Sequence, residues 1–322
     1  MIKIAINGFG RIGRSAARII LDTPNLELVA INDIIDLKDF YYYFKYDSIY
    51  KELKDKISLH DNYLLVDQKK IYLFNKKDPR ELNLKDLDVD VLLECSGVFL
   101  TSNSLRYHVE NGIKKIIISA PPKDDTKMYI MYHNHKEYKN EKIVSNSSCS
   151  ANAIVPIFDI IDKHLSIKGA FITTIHSYTT DQSLLDTKYS RSAPNNIIPV
   201  DSSAAKTTEK FFPHLKDKLY SKSLRIPLPA TTIYDLNIKI DKKVSKKELH
   251  ELIEKNLSKT FNTTNSPLVS SDFIKDSYSA TIDLNLTQID QNLIKIILYQ
   301  DNEFGYAKRL IDLTRYITGV RV

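Results

Sequence analysis

Two side chains in this sequence have the makings of a nucleophile and its base. Cys149 stands in Ser147-Ser-Cys149-Ser-Ala-Asn152, just before the apolar run Ala153 to Ile161, whose pattern predicts a helix. A cysteine at a helix N-terminus faces free N–H groups and the positive end of the helix dipole, which lowers its thiol pKa. Ser147 or Ser148 can cap those N–H groups. His176 closes the predicted strand Ile172-Thr-Thr-Ile-His176, and a Cys–His pair is one way to activate a nucleophile. Spacing alone leaves a second reading open, a buried inert thiol and an unrelated histidine. Cys95, in Leu92-Leu-Glu-Cys-Ser-Gly97, lies in an apolar strand with no basic neighbour and reads as inert.

A second constellation points to a dinucleotide. Gly8-Phe9-Gly10-Arg11-Ile12-Gly13 fits G-x-G-x-x-G and takes three of the chain's 8 glycines. Such a loop needs glycine for a tight turn, for close approach of a pyrophosphate and for helix-to-strand packing. The helix that follows offers free N–H groups and a positive dipole end to the phosphates. Asp33 closes the next predicted strand, about 20 residues beyond the loop, where a carboxylate hydrogen-bonds a ribose 2′-OH. It would repel a 2′-phosphate, so NAD is expected rather than NADP. A structural turn with a surface aspartate is the alternative.

These groups need elements to hold them. Ile2–Ile6, Leu26–Ile31, Val89–Cys95 and Lys115–Ser119 read as short buried strands, with helices over Arg11–Leu21 and Ser104–Asn111. That is the βαβ rhythm of a Rossmann-type parallel sheet. Beyond about residue 165 the strands lengthen and alternate: Ala170–His176, Thr231–Ile240, Ser279–Leu286 and Leu293–Tyr299. They predict a mixed or antiparallel sheet with helices laid on it, an α+β domain. Glu303–Ile317 has helical periodicity. The fold class is therefore α/β with a second, α+β domain, as 322 residues allow.

Composition narrows the function. Hydrophobic residues at 43% and charged residues at 27% suit a globular protein with a full core and exclude disorder. The net charge of +6 is spread along the chain, where a nucleic-acid binder would gather it on one face. The densest run, Lys242, Lys243, Lys246 and Lys247, surrounds a capping box, Ser245 to Glu248, ahead of Leu249, Leu252 and Ile253. It reads as a solvated helix face. The aromatic stretch Phe40-Tyr-Tyr-Tyr-Phe44-Lys-Tyr46 lacks a basic cluster, so it predicts a helix in a core or subunit contact rather than a base-stacking surface. Two cysteines without a C-x-x-C or zinc spacing suggest a reducing compartment and no metal. No leader pattern and no apolar run of about 20 residues appears, so a cytoplasmic protein without membrane partners is expected.

Taken together, Ala5-Ile-Asn-Gly-Phe-Gly-Arg-Ile-Gly13, Ala30-Ile-Asn-Asp33, Ser145-Asn-Ser-Ser-Cys149, His176-Ser-Tyr-Thr179 and Asp301-Asn-Glu-Phe-Gly-Tyr306 resemble the glyceraldehyde-3-phosphate dehydrogenase superfamily. The resemblance implies an NAD-binding domain over 1–148, a catalytic domain over 149–302 and a C-terminal helix over 303–322 returning to the first. It implies an NAD-dependent dehydrogenase of a phosphorylated aldose. Cys149 attacks the aldehyde, and His176 serves as base and steadies the oxyanion. Asn302 matches the residue that orients the nicotinamide amide. Thr179, Asp181 and Arg225 match the substrate-phosphate site, with Arg225 suited to a bidentate grip. Ser148, Ser150, Ser202 and Ser203 match a second anion site. A homotetramer is implied as well.

The second anion site departs from the glyceraldehyde branch. Where that branch carries Thr-Gly-Ala-Ala-Lys, this chain has Ser202-Ser-Ala-Ala-Lys206, with Asp201 just before it. A free carboxylate there would weaken phosphate binding and favour water as acyl acceptor. Pro199-Val-Asp-Ser202, Phe211–Lys218, Pro267–Phe273 and Leu293–Asn302 resemble the D-erythrose-4-phosphate dehydrogenase branch. His176-Ser-Tyr-Thr179 and Ala120–Asp125 are closer to the glyceraldehyde branch. The expectation leans to oxidation of D-erythrose 4-phosphate to 4-phosphoerythronate, toward pyridoxal phosphate, with phosphorylating glyceraldehyde-3-phosphate dehydrogenase as the alternative. A non-catalytic NAD-binding paralogue is a third reading, opposed by the joint presence of Cys149, His176, Arg225 and Asn302. The loop between His176 and Ile197 is shorter than the family's, and its usual basic run is reduced to Arg191-Ser-Ala-Pro194. In the family that loop contacts cofactor across a subunit interface, so the resemblance ties cofactor affinity and tetramer geometry to it.

Overall fold

Short apolar runs that must be buried on both faces generate a parallel sheet in the first part of the chain. The computed structural model describes residues 1–321 and divides into two units, Met1–Ser148 with the chain from Ala307 onward, and Cys149–Tyr306. The first unit contains β1 (Ile2–Asn7), α1 (Arg11–Leu21), β2 (Leu26–Asn32), α2 (Leu37–Lys45), β3 (Ile57–Leu59), β4 (Tyr63–Val66), β5 (Lys69–Phe74), β6 (Val91–Glu94), α3 (Ser102–Glu110), β7 (Lys115–Ile118) and β8 (Ile143–Ser145). Its sheet runs β3-β4-β5-β2-β1-β6-β7-β8. From β5 to β8 all neighbours are parallel, while β3, β4 and β5 form an antiparallel edge. The strand order reverses beside β1, and a crevice opens at the carboxyl end of the strands at such a point.

That antiparallel edge is absent from the sequence expectation. β3 carries half-exposed and exposed side chains only, so no buried face gives it a period. The aromatic stretch is α2. Phe40 and Phe44 are fully buried, each with its ring centroid 5.6 Å from that of Phe9, while the tyrosines between them face outward. Aromatic packing thus braces the loop after β1.

The second unit has α4 (Cys149–Leu165), β9 (Ile167–Ser177), β10 (Ile198–Asp201), α5 (Ala204–Glu209), β11 (Leu219–Ile226), β12 (Thr232–Ile240), α6 (Lys246–Asn256), β13 (Phe261–Thr264), β14 (Ala280–Asp290) and β15 (Leu293–Gln300). Its mixed sheet runs β10-β11-β9-β12-β15-β14-β13, with β11–β9 and β13–β14 parallel. α4, α5 and α6 pack on this sheet. The capping box at the start of α6 forms as the sequence predicts, with the Ser245 N–H donating to Glu248 Oε2 at 2.8 Å. β11 was not expected: Leu-Tyr-Ser-Lys-Ser-Leu-Arg-Ile mixes polar groups into both faces. Register then fixes the chemistry. Arg225 of β11 lies opposite His176 of β9, His176 opposite Thr232 of β12, and Thr232 opposite Gln300 of β15. α7 (Phe304–Ile317) ends the chain's regular structure. Among the described residues no helix is long and apolar enough to cross a membrane.

Candidate active site

In the first unit the glycine loop joins β1 to α1. Gly8 holds φ at +96°, and a Cβ there would fall 2.4 Å from the Ser96 nitrogen, so only glycine fits. A Cβ on Gly13 would lie 2.0 Å from the Gly8 carbonyl oxygen, which lets α1 sit hard against β1. Gly10 is the opposite case: nothing lies within 4 Å of its would-be Cβ. That open face stands at the start of α1, whose N-cap residue, Gly10, brings no capping side chain. The cradle fits a dinucleotide pyrophosphate. Asp33 Oδ2 accepts the Phe9 N–H at 2.5 Å and Oδ1 accepts the Ile34 N–H at 2.6 Å. Lone pairs on both oxygens remain for ribose hydroxyls. The side chain of Arg11 turns away, its Nη1 2.5 Å from Asp47 Oδ2, so Arg11 and Ile12 offer the loop their backbone.

A buried polar network underlies this loop. Glu94, at the end of β6, accepts the Asn7 amide at 2.6 Å, the Ser96 N–H at 2.7 Å and the Ser96 hydroxyl. Asn32 donates to Asn7 Oδ1 at 2.7 Å. Burial pushes the Glu94 carboxyl up to about 7 against the pull of those three donors. Cys95 is raised to about 12 by burial, which suits an inert thiol.

In the second unit the sulfur of Cys149 sits at the first residue of α4. It accepts from the Ser150 hydroxyl, the Ser150 N–H and its own N–H, and feels the Arg225 charge. Burial outweighs these together and raises the thiol pKa. The expected low pKa is therefore corrected: the helix end is present, but so is the loss of water, and the second wins in the resting site. His176 Nδ1 lies 2.7 Å from the Ser177 carbonyl and 2.5 Å from Arg225 Nη1. Burial, then the Arg225 charge, lower its pKa to about 4. At neutral pH it is an uncharged imidazole able to take up a proton. Nδ1 cannot donate to the Ser177 carbonyl and accept from the Arg225 guanidinium at once; the tautomer that donates to Ser177 leaves the Nε2 lone pair as the basic site.

Asn302 follows β15 and accepts the Ser177 hydroxyl through Oδ1 at 3.3 Å. Its amide is thus tied to the residue after His176. Thr179 Oγ1 lies 3.4 Å from Asp181 Oδ2, and Asp181 interacts electrostatically with Arg225. Arg225 Nε is buried with no hydrogen-bond partner among the described residues. An unmet guanidinium donor beside a histidine and a cysteine is suited to an incoming oxyanion.

Ser202 and Ser203 lie farther along, at the corner from β10 into α5. The Ser202 hydroxyl accepts the Ala204 N–H at 3.2 Å, and the Ser203 carbonyl accepts the Thr207 N–H at 2.9 Å. The preceding residue, Asp201, pairs across the ladder with Lys222, three residues from Arg225 on β11, or roughly 10 Å along the strand. The Asp201 carboxylate meets Lys222 Nζ at 2.6 Å with its side chain 95% exposed, and Lys206 also holds its pKa down. The free charge expected of Asp201 is therefore corrected. A basic partner contributed by an unforeseen strand accompanies it. Ser150 stands beside the thiol, and Ser148 ends the first unit.

Two residues of this site escaped the sequence reading, Tyr234 and Gln300. The Tyr234 hydroxyl donates to Gln300 Oε1 at 2.7 Å, and Gln300 Nε2 donates to the Cys149 carbonyl at 3.2 Å. The only signal was a bulky phenol and an amide in otherwise aliphatic strands. The shortened loop carries its own bonds, among them Arg191 to Asp186 at 3.0 Å.

Comparison with known proteins gives two family matches along the chain. Residues 2–102 match the family described as glyceraldehyde 3-phosphate dehydrogenase, NAD binding domain, and residues 148–302 the C-terminal domain of the same name. The chain is 36% identical to a glyceraldehyde-3-phosphate dehydrogenase of Haloarcula vallismortis, over 98% of each chain. It is 36% identical to glyceraldehyde-3-phosphate dehydrogenase 1 of Bacillus cereus, over 99% of each. The enzyme of Geobacillus stearothermophilus is 35% identical over 98% of each.

Proposed function

The chain belongs to the glyceraldehyde-3-phosphate dehydrogenase family, and on that premise we propose that it oxidises glyceraldehyde 3-phosphate with NAD and passes the acyl group to inorganic phosphate. The observation that carries the choice of acceptor is the Asp201–Lys222 pair. With Lys206 beside it, the loop of Ser202 and Ser203 has more positive than negative charge, the balance an inorganic anion needs. The relatives named above are glyceraldehyde-3-phosphate dehydrogenases.

The residues divide the work as follows. Arg225, through its unmet Nε–H and with Thr179, binds the phosphate of the aldose. Cys149 gives its proton to neutral His176, its sulfur attacks the aldehyde carbon, and His176 hands that proton on to the carbonyl oxygen, which leaves a thiohemiacetal and a neutral imidazole. His176 holds the hydroxyl proton as that carbon is oxidised to a thioester. The Gly8–Gly13 loop and Asp33 would hold the phosphates and ribose of NAD, Asn302 would orient its amide, and the bound cofactor would supply a hydride acceptor. Phosphate, held by Ser150, Ser202 and Ser203 with Ser148, then attacks the thioester, and Cys149 leaves as the thiolate.

A second reading is oxidation of erythrose 4-phosphate with water as acceptor. It is favoured by Ser203 where the glyceraldehyde branch has glycine. NADH production by purified protein with each sugar, with and without inorganic phosphate, separates them. Phosphate-dependent turnover of the triose is the expected result, and phosphate-independent turnover of the tetrose would transfer the proposal to the second reading. The family premise also carries a homotetramer. It is supported by Phe171 and Tyr220, stacked on the sheet yet 66% and 56% exposed. Light scattering of the purified chain tests it.

A further inference from the structure

Tyr234 is fully buried and heads the largest such side chains of the protein. It stands on β12, opposite Thr174 of β9 on one side and Leu298 of β15 on the other. Burying a phenol is tolerable only if its hydroxyl is bonded. Gln300 Oε1 accepts from it at 2.7 Å. The orientation of that amide is settled by its other end. Nε2 donates to the Ser279 carbonyl at 2.6 Å and to the Cys149 carbonyl at 3.2 Å, so a flipped amide would set oxygen against two carbonyl oxygens.

The same hydroxyl is within hydrogen-bonding reach of the Ser150 hydroxyl and the Cys149 thiol. A phenol has one hydrogen. Three acceptors stand around it, Gln300 Oε1, the Ser150 hydroxyl oxygen and the Cys149 sulfur. A thiol is a weak acceptor, so at rest the hydrogen lies with Gln300. A thiolate is a strong one, and the bond is then charge-assisted.

We propose that Tyr234 is a catalytic residue whose O–H turns from Gln300 Oε1 to the Cys149 sulfur whenever that sulfur carries negative charge. This rests on Cys149 being the nucleophile. The moments concerned are the interval before attack on the aldehyde and the departure of sulfur from the thioester. No bond to Tyr234 is made or broken: its proton stays on oxygen, and the thiol proton goes to His176. Burial holds the phenol pKa well above its ordinary value, so it remains a donor throughout. The groups facing the sulfur are Ser150 from α4, Arg225 from β11 and Tyr234 from β12. His176 of β9 stands next to Arg225. Arg225 supplies charge to the sulfur from a distance, whereas Tyr234 supplies a directed hydrogen.

The test is the pH dependence of Cys149 alkylation by iodoacetamide in the full chain, followed at that residue by mass spectrometry, with thermal unfolding run in parallel. Tyr234→Phe is expected to raise the midpoint by about one pH unit, a tenfold slower reaction near pH 7. Gln300→Met removes one competing acceptor and is expected to lower the midpoint. A side chain that merely fills space predicts no such opposition of sign. An unchanged midpoint in Tyr234→Phe, or a shift of the same sign in both variants, overturns the proposal. If Tyr234→Phe does not fold, Gln300→Met decides it: faster alkylation supports the proposal, and unchanged or slower alkylation overturns it. Turnover by Cys149→Ser would sink the nucleophile reading separately, because the alkylation midpoints need no turnover.

Discussion

Replacing Asp33 by asparagine removes one negative charge from the mouth of the glycine loop and keeps the side chain's size. In the wild type each carboxylate oxygen already accepts one backbone N–H, from Phe9 and from Ile34. Asparagine has one acceptor oxygen, so one of those bonds survives. A ribose hydroxyl bonded to an amide rather than a carboxylate loses about 1 kcal/mol, the difference between neutral and charged acceptors. NAD should bind roughly fivefold more weakly. For NADP the balance reverses. Its 2′-phosphate brings about two charges, each repelled by about 1 kcal/mol at 4 Å in water-like surroundings. Lifting that repulsion favours NADP by about 2 kcal/mol, so the ratio of the two affinities should move by roughly 100-fold. A contact at 4 Å is well inside the screening length of about 8 Å at physiological salt, so the shift should survive there. Calorimetric titration of both coenzymes into wild type and Asp33→Asn measures the ratio. A change below about threefold would refute the idea that this carboxylate sets coenzyme choice.

Three further expectations follow from the same coordinates. Cys149→Ser should abolish NADH formation while leaving the unfolding free energy in urea within about 0.5 kcal/mol of wild type; residual turnover above about a hundredth would remove Cys149 from the chemistry. Gly8→Ala combines φ of +96° with a 2.4 Å backbone approach and should cost more than about 3 kcal/mol in urea unfolding. A loss under about 1 kcal/mol would mean the turn can relax. Glu94, raised from its ordinary 4.5 to about 7, binds its proton more tightly in the folded chain than in the unfolded one. Its contribution is therefore full below pH 4.5 and is lost as pH rises through 7, by about 3 kcal/mol. The difference in urea stability between wild type and Glu94→Gln should carry that slope, and a flat difference from pH 5 to 8 would show that Glu94 titrates normally.

Features whose cause is local were legible before any tertiary contact was known. The glycine loop answers to backbone needs within a few residues: a positive φ at Gly8 and a helix that must start at Arg11. The capping box at Ser245 and the buried face of α2 are local in the same sense. Strands such as Ile2–Asn7 and Leu26–Asn32 declare themselves because both their faces are buried. The edge hairpin and β11 do not, since exposed or mixed faces give no period.

What lay outside the sequence is whatever depends on neighbours far along the chain. Desolvation of the Cys149 thiol comes from packing around α4, so helix-terminus logic by itself gave the wrong sign for its resting pKa. The charge of Asp201 looked free because Lys222 is brought beside it only by the pairing of β10 with β11. Tyr234 and Gln300 meet beneath Cys149 because β12 and β15 are neighbours in a sheet. The sequence by itself determined the loop that can cradle a dinucleotide, the βαβ order of the buried strands and the family. The tertiary structure decided the electrostatics of the sulfur, the histidine and the anion loop, because burial and cross-strand register exist only once the sheet has formed.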